Sequence, residues 1–290
     1  MFRSLDRFIE EQSWLDTIGD PLQGWFKALF QMGGGTGKRV QNLLNGTWLG
    51  HPLHPMVTDV PVGSWTATMV LDAVGATRDD DAMSSAADIT LGIGWAAAVA
   101  SIATGWAQWS YTSGKDRRVG LLHALTMATS FVVYTASLTA RLRGARGTGV
   151  ALANTGYLVM AAGAYLGGEE AFDIGFGVNH TAFEQGPGDY VAVMSEADLQ
   201  ANALTKVDAG GVSVLLVKLN NGIFALDDTC THAGCSLAGG KLDGLSVICP
   251  CHGSQFDLRD GEVINGPATY REPSYFVRVR DGMVEVKRGL

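Results

Sequence analysis

The chain has 290 residues, a formal net charge of −8 and hydrophobic residues at 47% of its positions. This length accommodates two domains, and the acidic excess is uneven. Residues 1–168 carry 12 basic and 12 acidic side chains, whereas residues 169–290 carry nine basic and 17 acidic. An acidic C-terminal part argues against nucleic acid as a partner and fits either ordinary solubility or a partner with a basic docking face.

The first 50 residues are predicted to form an N-terminal amphipathic segment. Apolar side chains recur at helical spacing in two places, at Phe2, Leu5, Phe8 and Ile9 and at Trp25, Leu29 and Phe30. This pattern is typical of short helices that lie on a membrane face or pack on the rest of the protein, and we expect packing. We recognise no hydrophobic region of the signal-peptide type in this segment.

Four apolar runs follow, each close to the roughly 20 residues that span a bilayer. They cover residues 56–76, 86–110, 119–140 and 149–168, and small residues crowd the second and fourth, as in helices that pack closely in lipid. A soluble four-helix bundle is the alternative, but its helices would keep a charged face, and these scarcely do. We therefore predict an α-helical transmembrane four-helix bundle over residues 51–168, in contact with the lipid bilayer.

The residues before the first run read His-Pro-Leu-His-Pro at positions 51–55. With this HPxHP motif the chain resembles a family of bacterial four-helix membrane proteins, and the resemblance extends to about residue 179. It implies the architecture and no particular activity.

Histidines collect at one end of the predicted bundle. With four spans, the starts of the first and third and the ends of the second and fourth share one membrane face, which places His51, His54 and His123 on the side of the C-terminal domain. Imidazoles at this position could ligate haem b, bind a quinone headgroup or carry protons. Alternatively, they cap helices and bond to backbone carbonyls.

The C-terminal part is predicted to be all β. A connection rich in glycine and acidic residues, 169–188, forms a linker. From residue 189 to 290, alternating apolar runs are separated by Asn221-Gly222, Asp260-Gly261 and Asp281-Gly282, which are strong hairpin-turn sequences. The predicted fold class is thus a multidomain chain with a transmembrane helical bundle followed by a β domain.

Two short boxes in the β domain contain all four cysteines of the chain. They read Cys-Thr-His-Ala-Gly-Cys at 230–235 and Cys-Pro-Cys-His-Gly-Ser at 249–254. Each box offers a thiolate and an imidazole, ligands that suit iron or zinc. Zinc fingers usually pair two cysteines in one knuckle and two histidines in the other. Mixed knuckles are what a 2Fe-2S cluster with two histidines on one iron requires.

The amino-acid sequences of the two boxes closely resemble those of the Rieske family. The resemblance implies a 2Fe-2S cluster in which Cys230 and Cys249 hold one iron and His232 and His252 hold the other. It also implies a disulfide, because Cys235 and Cys251 match a disulfide pair of the Rieske proteins of cytochrome bc complexes.

The same resemblance implies roles near the cluster for three further residues. Ser254 matches a hydroxyl that hydrogen-bonds the cluster, Pro267 lies in a loop that shields it, and Phe256 stands where those proteins often carry a tyrosine. Because hydrogen bonds to cluster sulfur raise the potential, the missing phenol predicts a lower potential than that of a bc-type protein. The compact loops are more similar to those of Rieske ferredoxins.

Taken together, these patterns predict a membrane-anchored Rieske protein, an oxidoreductase component that carries one electron between a quinol or membrane haem and a redox partner protein. The alternative is a membrane-tethered ferredoxin that a soluble reductase supplies, with the helices only as an anchor. A structural or redox-sensing cluster is a third possibility. We do not expect an oxygenase catalytic subunit, since the sequence has no Asp-x-x-His-x-x-x-x-His pattern for a mononuclear iron.

The predicted location is the bacterial cell membrane, with several passes and with the Rieske domain on the same side as the N-terminus. Fifty residues without a recognisable targeting signal before the first span favour the cytoplasmic side. The implied disulfide points the other way, because disulfides persist in oxidising compartments.

Overall fold

A computed structural model describes residues 9, 11–78 and 80–289. Phe2, Leu5 and Phe8 of the predicted N-terminal helix lie outside these residues. The chain forms two compact units. The first contains the chain up to Gly37 together with Leu53–Phe176, and the second contains Lys38–Pro52 together with Gly177–Leu290. The predicted domain boundaries stay predictions.

Six α-helices lie within the described residues, and the last four correspond to the predicted apolar runs. Of these, α4, α5 and α6 are long and apolar enough to cross a membrane. Helix α3 has 26 residues, which is also long enough, but its composition is more polar, and its span stays a prediction. The helices are α1 (Trp14–Met32), α2 (Gly34–Asn45), α3 (Leu53–Arg78), α4 (Asp81–Trp109), α5 (Gly114–Leu142) and α6 (Arg146–Phe172).

A network of ion pairs surrounds a buried charged residue of α3. Asp72 of α3 is buried, and it pairs with Arg141 of α5 and with Arg146 of α6, the latter at 2.9 Å. Asp88 of α4 completes the network at 2.7 Å from Arg141 and 3.0 Å from Arg146. Because burying an unpaired charge is costly, each partner stabilises the others. The network thereby joins four side chains, one from each of the four helices, at one end of the bundle.

Helices α3 and α4 form a hairpin that the sequence repeats in α5 and α6. Leu-His at 53–54 recurs 69 residues later at 122–123, and the aromatic-Thr-Ala sequence of 65–67 recurs with the same offset at 134–136. In α4 and α6 the offset is 62, which relates Gly94 to Gly156 and Gly105 to Gly167. The short connections make neighbouring helices antiparallel, so that α3 and α5 run in the same direction. The bundle is therefore an internal duplication of one helical hairpin.

Helix α1 packs on the turn between α4 and α5. The Gln23 side-chain amide donates to the carbonyls of Trp109 and Thr112, at 2.8 and 3.0 Å. Asp16 pairs with Arg117 and Arg118, and hydrogen bonds from these two arginines lower the pKa of Asp16 to about 2. A separate face of the same helix is exposed and apolar, formed by Trp14, Ile18, Trp25, Leu29 and Met32. The helix packs on the rest of the first unit through its other side, and the amphipathic segment 1–50 stays a prediction.

The β domain consists of three antiparallel sheets with the orders β1-β10-β9, β2-β3-β4 and β5-β6-β7-β8. One core, built around Val214, Leu216 and Val286, lies between strands of the first two sheets. A second core contains Cys230, Cys249 and Phe256 and joins the second and third sheets. The strands are β1 (Val191–Ser195), β2 (Leu204–Asp208), β3 (Ser213–Leu219), β4 (Gly222–Asp227), β5 (Lys241–Asp243), β6 (Ser246–Ile248), β7 (Gln255–Asp257), β8 (Val263–Asn265), β9 (Tyr275–Arg280) and β10 (Met283–Arg288).

The predicted turns fall at or next to strand ends. Asp281-Gly282 is the two-residue turn between β9 and β10, with positive φ at both residues. The turn between β3 and β4 is displaced by one residue from the prediction, because Gly222 already pairs with Leu219 as the first residue of β4. Asp260-Gly261 lies in a longer loop between β7 and β8.

Candidate metal centre

Two loops at neighbouring strand ends carry the predicted ligands, and both have the same backbone design. The first loop follows β4, and the second follows β6. In each, the N–H of the first cysteine donates to the carbonyl five residues later, and a glycine four residues later donates back to the cysteine carbonyl. These bonds are Cys230 to Cys235 and Gly234 to Cys230, both 2.8 Å, and Cys249 to Ser254 at 2.8 Å and Gly253 to Cys249 at 3.1 Å. Both glycines have φ near +75°, namely 71° and 79°, a backbone conformation that strongly favours glycine.

The loops bring the four predicted ligands together in two pairs. Cys230 and Cys249 are buried free thiols, and each lies close enough to shift the pKa of the other. The rings of His232 and His252 lie with centroids 4.9 Å apart and planes at 75°. Among residues 9, 11–78 and 80–289, no three or more His, Cys, Asp or Glu side chains converge as a site for one metal ion. A pair of thiols beside a pair of imidazoles is the set that a two-iron cluster takes, with two protein ligands per iron.

Cys249 and His232 are shifted toward the forms that bind metals, whereas Cys230 is shifted toward the thiol. A hydrogen bond from the Cys230 thiol lowers the pKa of Cys249 to about 6, and the same bond, followed by burial, raises the pKa of Cys230. Burial, followed by the proximity of His252 and then of His180, lowers the pKa of His232 to about 3. Thiolate and neutral imidazole are the forms that bind metals.

The second halves of the two loops are covalently joined. Cys235 and Cys251 form a disulfide, as the resemblance implied. Since the remaining two cysteines, Cys230 and Cys249, are the free thiols described above, each cysteine of the chain has a distinct place in this centre. The disulfide fixes the separation of the loops without using a ligand.

The three supporting positions predicted from the resemblance line the same region. Ser254 is fully buried, and its Oγ accepts a hydrogen bond of 3.0 Å from the N–H of Ala268, directly after Pro267. The Ser254 hydroxyl proton is therefore available for a further acceptor. Phe256 is fully buried in β7, in the core that also contains both free cysteines. The loop that carries Pro267 is thus attached to the second ligand loop through Ser254.

Two residues that the sequence analysis missed hold these loops in place. Glu272 is fully buried, and its carboxylate accepts the N–H of Thr231 at 2.6 Å, between two predicted ligands. Burial raises the pKa of Glu272. Asn42, in α2, accepts the N–H of Gly266 at 3.0 Å and donates to the side chain of Asn265 at 3.2 Å. No local pattern signals either contact, because both join distant residues. Glu272 lies 41 residues after Thr231, and Asn42 lies more than 220 residues before the loop that it holds.

The predicted membrane histidines are divided between the two units. His54 and His123 belong to the helical unit, whereas His51 belongs to the second unit, where it is exposed and its Nδ1 lies 3.2 Å from the carbonyl of Pro52. Nδ1 of His54 bonds to the carbonyl of Ser101 at 2.9 Å, and Nδ1 of His123 bonds to the carbonyl of Gly163 at 2.8 Å. Bonds to backbone carbonyls were the alternative that the sequence left open, and one nitrogen of each of these two rings makes such a bond.

A β domain in which two loops each supply one thiol and one imidazole, beside a proline-containing loop, defines the class of two-iron electron-transfer proteins with mixed cysteine and histidine ligation. The chain belongs to the Rieske family: residues 189–278 match the family described as Rieske 2Fe-2S domain. Residues 50–180 match a second family, described as predicted membrane protein (DUF2231). The resemblances of both parts of the sequence are thereby confirmed, as is the predicted fold class.

Relatives of two kinds match the Rieske part. Ferredoxin CarAc of Metapseudomonas resinovorans is 33% identical over 98 residues, which cover 33% of this chain and 92% of the relative. The cytochrome bc1 complex Rieske iron-sulfur subunit of Streptomyces lividans is 41% identical over 63 residues, 21% of this chain and 37% of the relative. Among solved structures, the ferredoxin of carbazole 1,9a-dioxygenase from Nocardioides aromaticivorans IC177 is 26% identical, with a TM-score of 0.33, over 34% of this chain and 98% of that chain.

The family and the geometry together give the general function. This is a Rieske iron-sulfur electron-transfer protein with a membrane domain, and the Rieske domain implies a 2Fe-2S cluster. The paired thiols and paired imidazoles fit that group. When bound, the cluster supplies one-electron redox chemistry. The second family match and the three apolar helices indicate membrane association.

Proposed function

We propose that this chain is a membrane-anchored one-electron carrier that takes electrons from a quinol or a membrane haem and passes them to a redox partner protein. The observation that carries the proposal is the presence, in one chain, of the paired ligand loops and of a helical unit with membrane-length helices. Cys230 and Cys249 bind one iron through sulfur, and His232 and His252 bind the other through nitrogen. Ser254 donates its remaining proton toward the cluster.

The helical unit supports a donor in the membrane. His54 and His123 are side chains of α3 and α5, and their Nδ1 atoms are held by backbone carbonyls. Polar and ionisable residues at such positions commonly mark redox or proton pathways. A quinone headgroup or haem b beside these imidazoles would give the helices a role beyond that of an anchor.

A second function is favoured by the relatives. Several that match over about 90% of their own length are named ferredoxins, among them Ferredoxin CarAc and the ferredoxin component of the naphthalene 1,2-dioxygenase system of Pseudomonas putida. By analogy, this chain is a tethered ferredoxin, reduced by a soluble reductase and held at the membrane by its helices. The partner protein then docks on the acidic Rieske domain.

The experiment that separates these two functions is reduction of the cluster in purified full-length protein in lipid nanodiscs. Metal and sulfide analysis together with EPR of the reduced protein first establishes the cluster, with Cys249→Ser as the variant that abolishes it. A short-chain quinol and, separately, NADH with a flavin-dependent ferredoxin reductase are then offered as donors. We expect reduction by the quinol. Reduction only by the reductase contradicts the quinol path and supports the tethered ferredoxin, and zinc in place of iron overturns both.

We further propose that the protein lies in the bacterial cell membrane with several passes and with the Rieske domain on the cytoplasmic side, the side of its N-terminus. Protease added to intact spheroplasts should leave a C-terminal epitope tag intact, whereas protease added to inverted vesicles should remove it. The opposite result places the domain outside the cytoplasm, in an oxidising compartment where disulfides commonly form and persist.

A further inference from the structure

The two helical hairpins place His54 and His123 at equivalent positions. Both histidines follow a leucine, both precede the repeated aromatic-Thr-Ala sequence by the same number of residues, and they are separated by the 69-residue offset that relates α3 to α5. Their environments share one equivalent contact, although Nδ1 of His54 also lies 3.1 Å from the hydroxyl of Thr104, whose counterpart in α6 is Leu166. His54 bonds to the carbonyl of Ser101, and His123 bonds to that of Gly163, which is the residue equivalent to Ser101 under the 62-residue offset of α4 and α6.

Equivalent residues of the two hairpins contact each other across the interior of the bundle. Trp65 stacks on its equivalent Tyr134 with ring centroids 3.8 Å apart. Asp72 pairs with its equivalent Arg141. A parallel repeat of this kind is related by an axis that runs along the helices, and these two contacts lie on that axis.

The histidines lie on the same helix faces as these contacts. His54 precedes Trp65 by eleven residues, and His123 precedes Tyr134 by eleven. Eleven residues are close to three turns of an α-helix, or roughly 16 Å along its axis. The two imidazoles therefore occupy equivalent positions beside the axis, at the end of the bundle opposite the ion network of Asp72 and Arg141.

Each imidazole is fixed in one tautomer and one orientation. A carbonyl oxygen only accepts, so Nδ1 of each ring carries the proton and Nε2 carries the lone pair. Histidines that bind metals commonly donate the other ring N–H in this way. A glycine lies against each ring: a methyl group added at Gly105 would stand 2.9 Å from Cε1 of His54, and one added at the equivalent Gly167 would stand 3.2 Å from Cε1 of His123.

We infer that His54 and His123 are the two protein ligands of a haem iron, one from each hairpin, bound through Nε2. This deepens the proposed function, because it assigns the membrane redox group of that proposal to one residue pair. Two imidazoles complete the ligand set of a haem iron, whose other ligands are porphyrin nitrogens. A bare zinc ion, in contrast, takes three or four protein ligands. His51 is not part of the site, because the residue equivalent to it is Gly120.

The test is haem content and Soret absorbance of the full-length chain, expressed with a haem precursor and purified in nanodiscs. We expect haem in the wild type, a loss of at least tenfold in His54→Ala and in His123→Ala, and wild-type content in the matched controls His51→Ala and His180→Ala. Free imidazole added to either depleted variant together with hemin should restore the Soret band. This rescue distinguishes a missing ligand from a misfolded bundle.

Three outcomes overturn the inference. In the first, the wild type contains no haem even after hemin is added. In the second, both histidine variants retain haem. In the third, the protein binds a transition metal through the two histidines but shows no Soret band. The EPR signal of the Rieske cluster and its reduction by quinol are measured on the same samples. If these persist while haem is absent, the inference fails and the proposed electron carrier stands; if the EPR signal is absent from the wild type, the proposed function fails on its own account.

Discussion

Trp65 and Tyr134 stack at the centre of the helical bundle with ring planes inclined by 15°, and each ring lies against a glycine of the adjacent helix in its own hairpin. A methyl group added at Gly94 would overlap Nε1 of Trp65, whose side chain is fully buried. We expect Gly94→Ala to destabilise the helical unit by about 1–3 kcal/mol, as overpacking of a close-packed core does. Thermal unfolding in detergent, followed by far-UV circular dichroism, measures the change.

The matched control lies two residues earlier in the same helix. Gly92 has no neighbouring atom within 4 Å of the position of an added methyl group. Gly92→Ala should therefore leave the midpoint unchanged or raise it slightly, since alanine favours helix. Equal effects of the two substitutions would contradict the close approach of Trp65 to α4.

Ser254→Ala should lower the reduction potential of the cluster. The Ser254 hydroxyl accepts the N–H of Ala268. In the proposed function, the hydroxyl donates its own proton to the cluster. The shift equals the difference in strength of this hydrogen bond between the reduced and the oxidised cluster, so the roughly 1.5–3 kcal/mol of a bond to a charged group, about 60–130 mV for one electron, is its upper limit. A redox titration followed by EPR measures it. Ser246→Ala, a substitution of another buried serine in β6, is the control, and a potential unchanged by Ser254→Ala would remove the hydroxyl from the cluster environment.

Phe256→Tyr should shift the potential in the opposite direction. Phe256 is fully buried in the core that contains both free cysteines, so a new phenol there remains within the protein interior. If its proton reaches cluster sulfur, the potential rises. The same titration detects the change. A fall in potential, or no shift in a fully assembled cluster, would show that the phenol points elsewhere.

Replacing both disulfide cysteines should destabilise the Rieske domain without removing its ligands. The bond closes a loop with a sequence separation of 16, for which a loss of about 3 kcal/mol is expected. In Cys235→Ser/Cys251→Ser the cluster should assemble, and its visible absorbance should bleach at a lower temperature than in the wild type. Cys230→Ser, which removes a proposed ligand, should prevent assembly altogether. If the double serine variant melts like the wild type, the disulfide has no stabilising role.

The stability of the β domain should fall as the pH rises from about 4 to about 7. Burial, and then a hydrogen bond with the carboxyl of Glu184, raises the pKa of Asp227 to about 7 from an ordinary value of 3.8. The folded state thus holds a proton that the unfolded state releases at lower pH, and the stability that this proton provides is lost as the pH passes the folded pKa. The other titratable or charged groups that face Asp227 are Arg288, Tyr275 and Glu272.

The pH effect is measured as the difference between the wild type and Asp227→Asn, because this difference cancels the titration of all other groups. Thermal melts at pH 5 and pH 8 should show a loss in the wild type on the order of 1–3 kcal/mol greater than in the variant. Hydrogen exchange of the segment 179–188, which contains Glu184, should rise over the same range. An identical pH dependence in both proteins would mean that Arg288 keeps Asp227 ionised throughout.

Local chemistry was sufficient to predict the Rieske domain and the cysteine and histidine side chains that the structure brings together in pairs. The identity and spacing of Cys230, His232, Cys249 and His252 predicted mixed ligation, because the ligand atoms belong to two short boxes whose meaning does not depend on distant residues. The apolar runs likewise predicted four helices close to the observed α3–α6, since helix length and composition are properties of continuous segments.

The sequence by itself thus determined the class of cluster, the helical and β halves of the chain and the candidate histidines. Only the tertiary structure decided that Glu272 and Asn42 hold the ligand loops, that Asp72 is neutralised by Arg141, and that His54 and His123 share a unit to which His51 does not belong. The physical reason is that these relationships join residues far apart in the chain. Periodicity and composition describe what a segment can form, but the partner of a buried polar group is fixed only when separate segments pack.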